Sequence, residues 1–319
     1  MLKTVYMLDA WGKIQEELED GKPSQFIFEN EEIKIIYPFI KRYAGTIDGK
    51  DYYDLVTSRG ECGPFIERGE ECNSGNIKAY AKALQAYCEE ENIIAEYVKF
   101  DPWNNNQEYF KDIYNLKTHG QNFSMPLQED FLYTQIHATR RNKIRRAERA
   151  GATVELDVSW DRIEEFLNIY QFTIDKNNVS SYYLLNVKYL EKYKRLLGDK
   201  AMLSFGYLNG KVVACTLTVT TDDIANFLFG ASDPICENVN VMSLLLYNVA
   251  KHYANKGCKY LDFGGAIEGS GLENFKRTFV AEQHWKKCYV GTTIRNKQIY
   301  DKLVKQRGGP HIGYFPEYR

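Results

Sequence analysis

The sequence predicts an α+β protein made of two similar halves, each a mixed, mostly antiparallel sheet covered by helices, and three observations predict it. A chain of 319 residues, 44% hydrophobic and rich in tyrosine and phenylalanine, can bury more than one core. Its hydrophobic period changes between two and about 3.6 residues, so strands and helices are interspersed. One order of elements also occurs twice: a hairpin, a third strand, a break ending in Pro64 or Pro234, a helix, then a strand ending at Phe100-Asp101 or Phe263-Gly264. The expected boundary separates residues 1–128 from 129–319.

In the first half, residues 24–29 and 33–42 read as a hairpin around Asn30-Glu-Glu32, and 52–57 as a third strand. Arg59-Gly-Glu-Cys-Gly-Pro64 breaks the chain. Ile77, Tyr80, Ala81, Leu84, Tyr87 and Cys88 then share one face of a helix over 76–90. Residues 93–100 return as a strand that Asp101-Pro102 stops. A helical or irregular stretch over 107–116 leads to an expected linker at 117–126.

The second half opens on a helix predicted over 132–150, with Gly151 as its C-cap. Leu132, Ile136, Ile144 and Ala147 mark its buried side, while Arg141, Arg145 and Arg149 form a ridge at i, i+4, i+8. Two readings of the ridge stand: a solvated face with arginines suited to a helix C-terminus, or a patch for the phosphates of a nucleotide or RNA. Residues 153–158 alternate as a half-buried strand, and Ser159 caps a helix carrying Ile163, Phe166, Leu167 and Tyr170. The loop pair Tyr182-Tyr183 precedes a helix over 187–197. Asn209-Gly210 turns a hairpin between 202–208 and 212–219, and 224–231 adds a third strand. An amphipathic helix over 241–253 is capped by Gly257, and the strand 258–263 runs into Gly264-Gly265. Leu272, Phe275 and Phe279 recur at helical spacing with Lys276 and Arg277 beside them. A strand over 285–293 and a helix over 297–303 complete the reading.

Composition removes several functional classes. Seven cysteines without a C-x-x-C pair, and five scattered histidines, argue against a disulfide framework and against a zinc site. The N-terminus meets a charge too soon for a signal peptide, no apolar run reaches membrane-span length, and the expected compartment is the cytoplasm. A formal net charge of −2 gives no global attraction to nucleic acid or anionic lipid, so a phosphate-bearing partner must meet a local patch.

The order of elements in the second half resembles the GNAT acyltransferase fold. The stretches Tyr53-Asp-Leu-Val-Thr-Ser-Arg-Gly-Glu-Cys-Gly-Pro64, Thr139-Arg-Arg-Asn-Lys-Ile-Arg-Arg-Ala-Glu-Arg-Ala-Gly151, Ile169-Tyr-Gln-Phe-Thr173, Leu261-Asp-Phe-Gly-Gly265 and Phe275-Lys-Arg-Thr-Phe279, in this order, resemble the FemA/FemB/FemX-type aminoacyltransferases over nearly the whole chain. The resemblance implies two tandem GNAT-like subdomains, transfer of an amino acid from aminoacyl-tRNA to an amine of a peptidoglycan or other cell-envelope precursor, and no metal. That precursor is nucleotide- or lipid-linked, which makes a peripheral membrane contact compatible with the reading. The long coiled-coil arm that some members insert is absent from the sequence, so the compact type is implied.

Attack of an amine on an acyl ester builds negative charge on the carbonyl oxygen, and a held cation stabilises it. The resemblance matches the family's Phe-Lys motif to Phe275-Lys276 and places the lysine near the reacting ester. Asp262 is the candidate carboxylate, for proton transfer or for capping a neighbouring backbone. No histidine stands near these motifs in sequence. Lys41 and Arg42 match where relatives place a cation for the acceptor phosphate; Tyr170, Thr173, Tyr182, Tyr183, Gly264 and Gly265 complete the candidate substrate groove. Arg141, Arg145, Arg149 and Arg277 are the candidate donor contacts. The alternative is an N-acyltransferase that takes acetyl-CoA or another acyl-CoA and modifies an amino sugar of a surface polysaccharide, although residues 232–240 hold no Q/R-x-x-G-x-G/A loop to cradle pyrophosphate. A third reading keeps the fold and the arginine ridge as a catalytically silent RNA-binding protein.

Overall fold

The computed structural model describes all residues except 70–72, 158, 178–184 and 237. In chain order the elements are α1 (Asp9–Gln15), β1 (Lys22–Glu29), β2 (Lys34–Ile47), β3 (Lys50–Val56), β4 (Phe65–Arg68), α2 (Ser74–Glu90), β5 (Ile93–Lys99), α3 (Gln107–Phe110) and β6 (Asn115–Pro126). There follow α4 (Phe131–Thr134), α5 (Ala138–Arg149), β7 (Thr153–Asp157), α6 (Ile163–Asn177), α7 (Val187–Leu197), β8 (Ala201–Leu208), β9 (Lys211–Thr220) and β10 (Ile224–Ser232). The chain ends with α8 (Val241–Asn255), β11 (Tyr260–Ala266), α9 (Gly271–Arg277), β12 (Trp285–Ile294) and α10 (Lys297–Arg307). Among the described residues no helix is long and apolar enough to cross a membrane.

The chain forms two compact units, residues 1–2, 6–119 and 287–319 in one and residues 3–5 and 120–286 in the other. In the first unit β1, β2 and β3 pair antiparallel, β3 pairs parallel with β5, and β5 pairs antiparallel with β12. The second unit repeats this: β8, β9 and β10 pair antiparallel, β10 pairs parallel with β11, and β11 pairs antiparallel with β6. Strand β7 extends its edge by pairing with β8. Each parallel pair is joined by one helix, α2 or α8, the crossover that parallel strands require. The repeated plan read from the sequence is thus present in the strand pairing, as two tandem GNAT-like subdomains of α+β type.

Each unit has its own core. Tyr37, Tyr80, Phe100 and Phe110 are buried with Ile35, Leu55 and Leu84 in the first, where Tyr80 meets Phe110 at 5.3 Å between centroids. In the second, Phe123, Phe263 and Phe279 are buried with the inner face of α8, and Phe263 stacks on Phe279 at 5.1 Å. Burying one such side chain stabilises a fold by about 1.5–3 kcal/mol.

Local expectations fail in two places, and two further elements go unread. The expected linker at 117–126 is the strand β6, whose polar first half conceals a buried second half from Asn122 to Pro126. The single helix expected over 132–150 is two, α4 and α5. His137 breaks it by taking an extended ψ of 147°, accepting a bond from the Thr139 N–H through Nδ1, and donating its own N–H to the Thr278 carbonyl at 2.9 Å. Strand β4 and helix α1 carry no periodic signal long enough to be read.

Candidate functional site

The second unit contains an opening between its parallel strands. The register pairs of β10 with β11 end at Asn226 and Asp262, although β10 continues along β9 to Ser232 and β11 continues along β6 to Ala266. The strands part there, at the carboxyl end of the parallel pair, where open sheets bind ligands. The first unit closes the matching place: after β3 and β5 the Cys62 N–H donates to the Lys99 carbonyl at 3.0 Å, and Cys62 bridges to Phe100. The sequence break at 59–64 fills that gap in the first unit.

Asp262 stands where the strands part and is only 1% exposed. Its Oδ1 accepts from Asn122 Nδ2 at 2.9 Å, from the Gly264 N–H at 2.8 Å and from Ser124 Oγ at 3.4 Å. Its Oδ2 accepts from Asn226 Nδ2 at 2.9 Å. Burial pushes the carboxyl upward from its ordinary pKa; the Gly264 N–H, the two amides and the nearby Lys276 ammonium pull it back. With both oxygens engaged, this carboxylate braces three strands and caps a turn. Gly264 has φ +69°, a left-handed conformation that strains any residue with a Cβ.

Lys276 completes the opening. Its side chain, 5% exposed, donates from Nζ to the Gly265 carbonyl at 2.6 Å. Helix α9 is held for this by its own start: Ser270 Oγ accepts from the Glu273 N–H at 3.1 Å, and Glu273 Oε2 accepts from the Gly269 N–H at 2.6 Å. Phe275 turns the other way, against Phe279 and under the Arg140 guanidinium at 4.4 Å.

Two cavities flank α9. One, of about 480 Å³, lies at the start of α8 and is lined by Arg140, Lys143, Ser243, Asn274, Phe275 and Thr278 among others. The second, of about 430 Å³, is lined by Tyr133, His137, Arg141, Arg277, Glu282 and Trp285. There Arg141 lies over the Tyr133 ring and Arg277 lies 4.4 Å from the Trp285 ring centroid. Tyr133 is 61% exposed. Two donor candidates from separate stretches thus share one groove. Arg145 and Arg149 lie exposed further along α5, with hydrogen bonds to Asn142 and to the Arg145 carbonyl respectively.

Other candidates fall elsewhere. Tyr170 packs its ring on Phe166 and Phe229 inside the second unit, and Thr173 is half-buried on α6. Lys41 and Arg42 belong to the first unit, where Lys41 pairs with Glu91 at 2.6 Å and Arg42 with the buried Asp54 at 2.7 Å. Tyr182 and Tyr183 lie outside the described residues. Sequence reading missed Asn122, Asn226, His137 and Arg140. Arg140 had a signal: it falls at i, i+4, i+7 with the buried Ile144 and Ala147, on the apolar side of its helix.

Comparison with known proteins agrees with this fold. A family profile described as an acetyltransferase (GNAT) domain matches residues 137–277, from the first cap of α5 to the end of α9. No curated protein matches the chain in sequence. Among solved structures, FemX superposes with a TM-score of 0.71 over 94% of each chain at 14% identity. The C-terminal domain of a putative lysylphosphatidylglycerol synthetase from Agrobacterium fabrum gives 0.56 at 15% identity, covering 94% of this chain and 93% of that one. L-PGS from Bacillus licheniformis gives 0.52 at 16% identity, covering 95% and 98%. The chain is an acyltransferase of GNAT fold, built on the FemX-like tandem plan.

Proposed function

We propose that this protein transfers an aminoacyl group from aminoacyl-tRNA to an amine of a peptidoglycan or other cell-envelope precursor. The observation that carries the reading is the opening between β10 and β11, with the Lys276 ammonium held at its mouth. In the step, the amine nitrogen bonds to the ester carbonyl carbon, the carbon–oxygen bond to the ribose breaks, and the proton lost by the amine goes to the leaving ribose oxygen. Negative charge passes through the carbonyl oxygen, and Lys276 is the cation placed to stabilise it. Asp262 serves as the brace that sets the turn. The Arg141 and Arg277 groove, continued by Arg145 and Arg149, supports a donor that carries several phosphates beside unstacked bases. Such a donor puts the reaction in the cytoplasm.

The 480 Å³ cavity and the acetyltransferase profile favour a second reading, acyl-CoA as donor and an amino sugar as acceptor. Incubation with an amine acceptor and either charged tRNA or acetyl-CoA, followed by mass spectrometry, tests both. Aminoacylated acceptor formed only with charged tRNA supports the first reading; acetylated acceptor replaces it with the second; no product with either donor removes both.

A further inference from the structure

Three exposed apolar side chains of the first unit meet around the segment that follows α10. Ile312 is 91% exposed, the highest value for a large hydrophobic residue among those described, and Tyr43 and Tyr314 are 54% and 48% exposed. Bonds and ring packing join them. Arg319 Nη2 donates to the Tyr43 carbonyl at 2.9 Å, His311 Nδ1 donates to the Arg319 main-chain oxygen at 2.8 Å, and the His311 ring stacks on Tyr314 at 5.1 Å. A cluster of exposed apolar groups, unlike a single one, marks a contact surface.

The segment holds Ile312 out on a fixed base. The Tyr314 N–H donates to the His311 carbonyl at 3.1 Å, closing a turn in which Gly313 takes a φ of +82° that suits glycine alone. Ile312 takes the second position of that turn. Behind it the His311 N–H donates to the Glu317 carbonyl at 2.8 Å. Phe315 stacks on Tyr97 and Tyr300 with centroids 6.5 Å and 6.1 Å away, and Tyr318 meets Tyr300 edge-on at 5.1 Å. The Glu317 N–H donates to Tyr300 Oη at 2.9 Å, and Tyr318 Oη and Arg319 Nε both donate to the buried Asp54.

Charge selects the partner. From Lys297 to Arg319 the sequence carries five lysines and arginines against two carboxylates, Asp301 and Glu317, in a chain whose formal net charge is −2. Lys297 pairs with Asp301, and Lys302 with Asp48 at 2.7 Å. Lys305 and Arg307, exposed in the last turn of α10, pair with no carboxylate among the described residues. Their side chains stand directly before the segment that presents Ile312. An exposed aliphatic group flanked by tyrosines and unpaired cations matches a bilayer surface: the aliphatic group enters the acyl boundary, the phenol rings sit at headgroup level, and the cations meet anionic headgroups. A second copy of this chain would bring the same cations face to face, which disfavours it.

We propose that the first unit docks on an anionic lipid surface through Ile312, Tyr43 and Tyr314, with Lys305 and Arg307 on the headgroups. One aliphatic side chain and two cations give a peripheral, reversible contact. A lipid-linked acceptor lies in such a surface, but the docking itself is independent of acyl transfer.

Sedimentation of the full chain with vesicles tests the surface. Vesicles of phosphatidylcholine and phosphatidylglycerol in equal parts are expected to bind the protein, phosphatidylcholine alone far less, and the binding to weaken as salt rises. Ile312→Ser keeps every charge and is expected to weaken binding about fivefold or more. Lys305→Gln/Arg307→Gln keeps the apolar tip and is expected to weaken it about tenfold or more. Ile267→Ser removes an exposed isoleucine of the other unit and is expected to leave binding unchanged. All of these side chains are exposed, so the variants keep the fold. No binding to anionic vesicles, or binding that Ile312→Ser leaves unchanged, overturns the proposal, because attraction to headgroups alone needs no apolar tip. Equal binding to phosphatidylcholine alone overturns the role of the cations. Dimerisation that Ile312→Ser abolishes, without vesicle binding, assigns the surface to a second copy instead. Vesicle binding by a chain that transfers no acyl group from either donor retains the docking surface and removes the transfer reading.

Discussion

The Lys276 ammonium donates to the carbonyl of Gly265, 2.6 Å away and eleven residues earlier in the chain. This bond ties the first helix after the opening to the strand that forms one wall of it. The ammonium thus rests against the Gly264-Gly265 turn, near the Asp262 carboxylate; under the proposed function a developing oxyanion competes for it.

Replacing Lys276 with methionine keeps the buried stem and removes the charge. Turnover is expected to fall about 10²–10³-fold with a much smaller change in KM, as for loss of one oxyanion donor. The variant also leaves the Gly265 carbonyl without this donor, which costs about 1–2 kcal/mol in stability. Steady-state kinetics alongside thermal melting separates the two effects, and an unchanged turnover number takes Lys276 out of the chemistry.

Asp262→Asn places an amide where every neighbour is already a donor. A loss of about 2–3 kcal/mol in folding stability is expected from chemical denaturation. Burial raises the Asp262 pKa in the folded state, so the native protein holds this proton more firmly than the unfolded chain. The group's contribution is therefore greatest below the ordinary carboxylate range and declines as pH rises through the raised value. The stability gap between wild type and Asp262→Asn narrows with rising pH across that window; a gap that widens contradicts the assigned shift.

Much of this arrangement is legible in sequence because it is periodic or marked by special residues. Gly264-Gly265 announces the turn, Phe275 and Phe279 announce α9, and the repeated hairpin, strand, helix and strand order announces the duplication. What stays hidden is polar and long-range. Asn122 sits 140 residues from Asp262 in sequence, inside a stretch whose polar first half reads as linker. Arg140 looks like one more member of a charged run until packing turns it inward. Lys41 and Arg42 are visible as a cationic pair, yet neither spacing nor composition reveals that Glu91 and Asp54 face them.

That last pairing yields its own test. Asp54 is fully buried and accepts from Arg42 Nε, from Arg319 Nε at 2.6 Å and from Tyr318 Oη at 3.1 Å. Arg42→Ala leaves this carboxylate with less compensation and is expected to cost about 3 kcal/mol of stability. Lys41→Ala breaks a more exposed pair and costs under about 1 kcal/mol. Denaturation midpoints check both. If Arg42→Ala instead melts like wild type while KM for the acceptor rises sharply, the residue binds acceptor as the family resemblance implies.

The final prediction concerns the α5 ridge, because it decides between donors. Arg145 and Arg149 are exposed, and among the described residues neither forms an ion pair with a carboxylate. Their side chains are therefore available to phosphates at little cost to the fold, and Arg145→Ala/Arg149→Ala is expected to change stability by less than about 0.5 kcal/mol. A tRNA donor that neutralises both arginines releases counterions, so a plot of log affinity against log salt flattens in the double variant by about 1.4 for single-stranded contacts. A CoA donor, which carries no run of phosphates to lie along α5, is expected to show no such difference. Fluorescence titration of labelled tRNA and of CoA over a range of salt measures both slopes. Parallel slopes for wild type and variant return the ridge to a solvated helix face and shift the donor assignment to acyl-CoA.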